Sequence, residues 1–201
     1  MDTSVPAKEI IRTIVERDLA PSLKRAGFKR SAFTFTRRAG STGHFLQIQL
    51  SRWNQGSAGM FYVNVGVMFD QMRNGTIPAP KHAKYDDCQF MVRLERLAPG
   101  APSQWTVDAS TRVSEVSGRL AAHVLGDVVE TLNGVSSLAD FESTGWAKAI
   151  PWGFPAMYAY ALHNDEEARA LVASEAEYFA DRGVTREALI QNYGFTRLQR
   201  Q

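Results

Sequence analysis

From Phe28 to Phe69 the chain reads FKRSAFTFTRRAGSTGHFLQIQLSRWNQGSAGMFYVNVGVMF, and over much of it apolar residues return at every second position. Neighbouring residues of an extended chain point to opposite faces, so a period of two predicts strands. Three runs are expected, Ala32–Arg37, His44–Arg52 and Met60–Phe69. The Gly-, Ser- and Asn-rich breaks between them suit antiparallel hairpins.

The alternation sorts the side chains. In the second run Leu46, Ile48 and Leu50 share one face, and Phe45, Gln47, Gln49 and Ser51 the other. In the third, Phe61, Val63, Val65, Val67 and Phe69 oppose Met60, Tyr62, Asn64, Gly66 and Met68. A fourth run, Cys88–Leu97, sets Phe90, Val92 and Leu94 against Gln89, Met91, Arg93 and Glu95, and Trp105–Asp108 reads as a short edge strand. With the greasy faces aligned, Gln47, Gln49, Ser51, Tyr62, Asn64, Arg93 and Glu95 collect on the opposite side. A solvated side of a half-covered sheet accounts for them, and so does a binding surface. Amides and hydroxyls left unpaired inside a protein cost about 1–3 kcal/mol each, so water, a network or a partner must lie over them.

The rest of the chain reads as helix. Ile10, Ile11, Ile14, Val15, Leu19 and Leu23 make an apolar stripe over residues 4–26, with Ser4 as N-cap and Pro21 as a kink or a second start. Val113, Val116, Leu120, Val124, Val128 and Leu132 make another from Thr111 to Asn133, with Ser110 as cap and Gly118 and Gly126 either weakening it or allowing close approach to the sheet. Short helices are expected over Ser136–Glu142 and Phe154–His163. Asn164 and Thr185 cap a C-terminal helical hairpin, interrupted at Gly183. The fold expected is α+β: an antiparallel sheet of four or five strands covered by helices on one face. Residues 1–145 form the sheet domain and 146–201 a helical extension.

Helix, then GFK, then FTFTRR, FLQIQLSRWN, FYVNVGVMF and CQFMVRLERL occur in that order. This series resembles DUF4304, an uncharacterised bacterial family, over Ile10 to Asn133. The resemblance implies the same strand order and carries over no catalytic residue.

Charge is unevenly spread. No acidic residue lies between Asp18 and Asp70, whereas Lys24, Arg25, Lys29, Arg30, Arg37, Arg38 and Arg52 do. Such an interval suits phosphate or an acidic surface, and nucleic-acid binding through it is one alternative. Cys88 is the only cysteine, so no internal disulfide forms. The N-terminus lacks the apolar core of a signal peptide, and no run of about 18 apolar residues offers a membrane span. The expected location is the cytoplasm.

Chemistry-bearing motifs are sparse. His44, His82, His123 and His163 are scattered without metal-ligand spacing, and no phosphate loop or nucleophile elbow occurs. Cys88 is expected to pack beside Phe90 and stay inert. Asp70 and Glu95, with a nearby Lys or Arg, are the carboxylates for the alternative of a metal-dependent phosphodiesterase or nuclease. The leading expectation is a non-enzymatic binding module for a protein partner, of accessory or immunity type. It uses no cofactor and engages the partner through Gln47, Gln49, Ser51, Tyr62, Asn64 and Arg93.

Overall fold

A computed structural model describes residues 5–72 and 82–200. Its centre is one antiparallel sheet of β1 (Lys29–Ser31), β2 (Thr34–Ala39), β3 (Thr42–Leu50), β4 (Gly59–Phe69) and β5 (Phe90–Arg93), adjacent in that order. A sixth strand, β6 (Trp105–Val107), also lies on β4. β5 takes the Asn64–Val67 half of the free β4 edge and β6 the Gly59–Phe61 half.

Two expectations about the strands change. The run expected at Ala32–Arg37 is preceded by a strand that the sequence reading missed. β1 is three exposed residues, two of them basic, with no apolar alternation to reveal it. A tight turn at Ala32 and Phe33 joins it to β2, with Ala32 in the left-handed region at φ 51°. The fourth strand is shorter than Cys88–Leu97, because the chain turns into a 3-10 helix at Leu94–Arg96. Glu95 therefore leaves the sheet face to which strict alternation had assigned it.

The apolar face is covered as its pattern requires. Ile48, Val63, Val65, Val92 and Leu94 are buried with Ile14 and Val124, and Leu50 packs at the margin. The cover consists of two long helical runs. The first is α1 (Ala7–Ile14), a π-helical turn at Val15–Leu19, and α2 (Ala20–Arg25). Pro21 follows directly on the π turn, inside a run whose backbone stays helical through Leu19 and Ala20, so it removes one amide from the ladder without ending the helix. The N-cap of α1 is Pro6, and Ser4 lies outside the described residues. The second run is α3 (Val113–Ala122), a π-helical segment at His123–Val129, and α4 (Glu130–Asn133).

Both π segments sit where apolar residues recur at strict intervals of four: Ile11, Val15, Leu19 and Leu23 in one run, and Val116, Leu120, Val124, Val128 and Leu132 in the other. On an α-helix such a row drifts by about 40° per step, since four residues exceed one turn. A wider turn absorbs the drift and keeps the row on the sheet. Ser117, wholly buried, donates its hydroxyl to the Ile14 carbonyl at 2.8 Å and ties the two runs together where the first changes pitch. Gly118 and Gly126 face outward with no atom of the described residues against them, so they do not mediate close approach to the sheet. Ser110 does not cap α3: Arg112 holds the N-cap position, and the Ser110 amide and hydroxyl both donate to Asp108.

C-terminal to these lie α5 (Leu138–Ser143), α6 (Phe154–Ala161), α7 (Asp165–Tyr178) and α8 (Arg186–Asn192). Asn164 and Thr185 cap α7 and α8 through the Glu167 and Ala188 amides, as expected. α6 has two apolar faces. Phe154 enters an aromatic group with Phe69, Phe90 and Phe141, while Ala156 and Ala159 join a separate cluster built by α7 and α8.

Candidate functional site

The second face of the sheet carries the candidate site, and the strand register defines it. Ser31 stands opposite Thr34, Thr34 opposite Gln47, Gln47 opposite Asn64, and Asn64 opposite Arg93. Directly opposed residues share a face, so these five form a polar row crossing β1 to β5. One step along the strands Gln49 faces Tyr62, extending the row into a patch.

Asn64 organises the patch. It is 4% exposed, and its side-chain amide donates to Gln47 Oε1 at 2.9 Å and to Gln49 Oε1 at 3.0 Å. Both glutamine oxygens are thereby occupied. Their own NH₂ groups meet no acceptor among the described residues, so each remains an unspent donor. The Arg93 guanidinium stacks on the Tyr62 ring, 4.1 Å from its centroid, and its Nη1 is buried without a hydrogen-bond partner among the described residues. Ser51 departs from the expected set: it lies past the end of β3, and its hydroxyl accepts from the Trp53 amide within the hairpin loop. The structure therefore brings together Gln47, Gln49, Tyr62, Asn64 and Arg93, sends Ser51 to a turn and Glu95 to a 3-10 helix, and adds Ser31 and Thr34.

The other half of this face is not solvated. Phe45 and Met68 are buried there with Ala83, and Cys88 and Met91 pack against them. Gly43 and Gly66 make room: a Cβ on Gly66 would stand 2.6 Å from the Met91 methyl, and one on Gly43 would stand 2.9 Å from that of Met68. Cys88 thus packs on the second face and not beside Phe90 on the apolar one, because it precedes β5 and strand parity does not apply to it. Burial, with Asp87 adding to it, pushes its thiol up to about 12, so it is a weak nucleophile at neutral pH.

Between this capped end and the β1 edge opens a cavity of about 580 Å³. Thr36, Phe45 and Gln47 line its sheet side, and His82, Lys84 and Tyr85 the wall facing it. Lys29, Ser31 and Thr34 close it toward the edge.

The basic interval does not form one patch. Arg37 turns to the apolar side, where it donates to the Ala26 carbonyl at 2.8 Å, Asn133 Oδ1 at 2.9 Å and His44 Nδ1 at 2.9 Å. His44 must then carry its proton on Nε2, which lies 2.9 Å from the Val135 carbonyl. Burial first, then the Arg37 charge, lowers the His44 pKa to about 4. Arg30 pairs with Glu16, and Arg38 with Asp70.

That last pair bears on Asp70 and Glu95. Asp70 is held by Arg38 just beyond the end of β4, whereas Glu95 follows Arg93, which faces Asn64. Roughly 20 Å of extended chain separates Asn64 from Asp70. Among the described residues no group of three or more His, Cys, Asp or Glu is placed to hold a metal ion. No helix of the described residues is long and apolar enough to cross a membrane.

No curated protein and no solved structure matches this chain. The family model described as a domain of unknown function, DUF4304, matches residues 19–134. These span the α2 helix, β1 to β6 and the second helical run, and they include every residue of the polar row. With more than half of its 201 residues covered, the chain belongs to the DUF4304 family.

Proposed function

We propose that this protein is a non-enzymatic cytoplasmic binding module whose second sheet face receives an acidic, acceptor-rich surface of a protein partner. Bacterial accessory or immunity-type roles suit such a module. The carrying observation is the direction of the unspent hydrogen bonds. Asn64 occupies both glutamine oxygens, so the patch offers the Gln47 and Gln49 amides as donors, with the Arg93 cation stacked beside them on Tyr62. A partner presenting carboxylates or backbone carbonyls satisfies both amides and complements the Arg93 charge, and hydrogen bonds to charged groups are the stronger kind. The cytoplasmic part of this reading is supported by the chain's single, part-buried cysteine.

The test substitutes Gln49→Glu together with Arg93→Gln. The new carboxylate still accepts from Asn64, so the internal network survives while the Gln49 NH₂ donor and the Arg93 positive charge are lost and one negative charge is added. Melting within a few degrees of wild type is expected, with loss of whichever partner the wild-type protein captures and binds after purification. A purified partner that binds the variant as tightly as wild type rules this face out.

A further inference from the structure

We propose that the cavity between β1–β3 and the His82–Tyr85 segment binds a small phosphomonoester bearing a flat ring, of the size of a nucleoside monophosphate. At about 580 Å³ it falls within the range of roughly 300–1,000 Å³ that small-ligand sites occupy. The proposal goes beyond the partner-binding reading and does not require it, since neither Gln49 nor Arg93 lines the cavity.

The lining sets the charge of the ligand. Lys29, Lys84 and His82 border the cavity, and among the described residues no carboxylate does. It also separates phosphate from carboxylate. Planar carboxylates are best gripped by an arginine fork, but the Nε–Nη2 edge of the Arg30 guanidinium at the rim is taken by the Ala32 carbonyl at 2.7 Å and by Glu16 at 3.1 Å. What remains is two ammonium groups, which act as point charges with freely rotating donors, and the hydroxyls of Ser31, Thr34 and Thr36. Dispersed donors of this kind suit the tetrahedral oxygens of a phosphate. The ring requirement comes from the other wall. Phe45 forms part of the floor, and Tyr85 meets its ring edge-on at 6.3 Å while staying 52% exposed. A half-exposed aromatic ring beside a cationic pocket offers a surface for stacking a heterocycle.

Isothermal titration calorimetry on the full chain at low ionic strength tests this. The probes are the four ribonucleoside 5′-monophosphates, the matching nucleosides, ribose 5-phosphate and inorganic phosphate. At least one monophosphate is expected to saturate below ~1 mM, with its nucleoside and ribose 5-phosphate each roughly tenfold weaker or more. Lys29→Ala and Lys84→Ala should each weaken it about tenfold, the size of one lost charge-assisted contact. Tyr85→Ala should reduce it to the level of ribose 5-phosphate. All three side chains belong to exposed residues, so unchanged melting is expected and is checked alongside. Failure of every monophosphate to saturate below ~1 mM overturns the proposal. So does nucleoside or inorganic phosphate binding as tight as the best monophosphate, or binding indifferent to the two lysines. The Gln49→Glu, Arg93→Gln protein should bind the monophosphate normally, which separates this outcome from that of the partner experiment.

Discussion

His44 shows how much one side chain's placement decides. In sequence it is one of four scattered histidines. In the fold it is fully buried, takes a hydrogen bond from Arg37 and reaches the Val135 carbonyl, so it links the β2–β3 hairpin to the end of the second helical run. Its pKa is lowered from 6.5 to about 4 on folding, chiefly by burial and then by Arg37. Between those two pH values the unfolded chain binds the proton and the folded one does not, so stability must fall as pH falls. The contribution is fully present above pH 6.5 and is lost progressively toward pH 4. From the size of the shift it amounts to about 3 kcal/mol. Urea unfolding at stepped pH should show this slope in the wild type and a shallower one in His44→Gln. Equal slopes would place the acid sensitivity elsewhere.

At the scale of elements, the two π segments follow from apolar residues spaced by four. Each allows a long helical run to stay on a twisted sheet without turning its apolar row away. The exposed glycines of the second run, Gly118 and Gly126, meet no atom of the described residues. Gly118 lies in an α-helical stretch with open space around it, so Gly118→Ala should stabilise the protein by about 0.5–1 kcal/mol, the difference in helix propensity. Thermal melting checks this, and a lower midpoint would mean that Gly118 meets a neighbour not seen in the monomer. Gly66 is the contrary case. Its missing side chain lets Met91 and Cys88 close over half of the second face, and so confines the polar patch to the other half.

Across the whole molecule, the three last helices surround a small core of their own, joined to the sheet through α6. A buried carboxylate fixes them together. Glu175, 6% exposed, accepts from the Tyr193 hydroxyl at 2.6 Å and from the Gly153 amide at 3.1 Å, so α7 holds both the start of α6 and the chain beyond α8. Burial and Glu175 together push the Tyr193 phenol well above its ordinary pKa, so it stays a donor through the physiological range. Tyr193→Phe leaves one carboxylate oxygen short of a partner and should cost about 1–3 kcal/mol. Hydrogen exchange should show the loss in α7 and α8 amides first. Exchange rising equally in β3 and β4 would mean that the chain unfolds as a single unit.

Strand parity alone determined the burial of Ile48, Val63, Val65 and Val92, and it placed Gln47, Gln49, Tyr62, Asn64 and Arg93 on one face, because a period of two is written directly in the residue order. Helix caps at Asn164 and Thr185 were equally legible, being local hydrogen bonds between residues three apart. The tertiary structure decided everything that depends on register and on contacts distant in sequence. It alone paired β1 with β2 and so added Ser31 and Thr34 to the row. It turned Glu95 out of the sheet, paired Arg38 with Asp70, and drew Arg37 inward to His44 and Asn133. It also set Lys84 and Tyr85 across from Thr36 and Phe45 to make a cavity. Local pattern fixes which way a side chain points, but which groups it meets depends on how strands pair and segments pack, and neither is carried by any short stretch of residues.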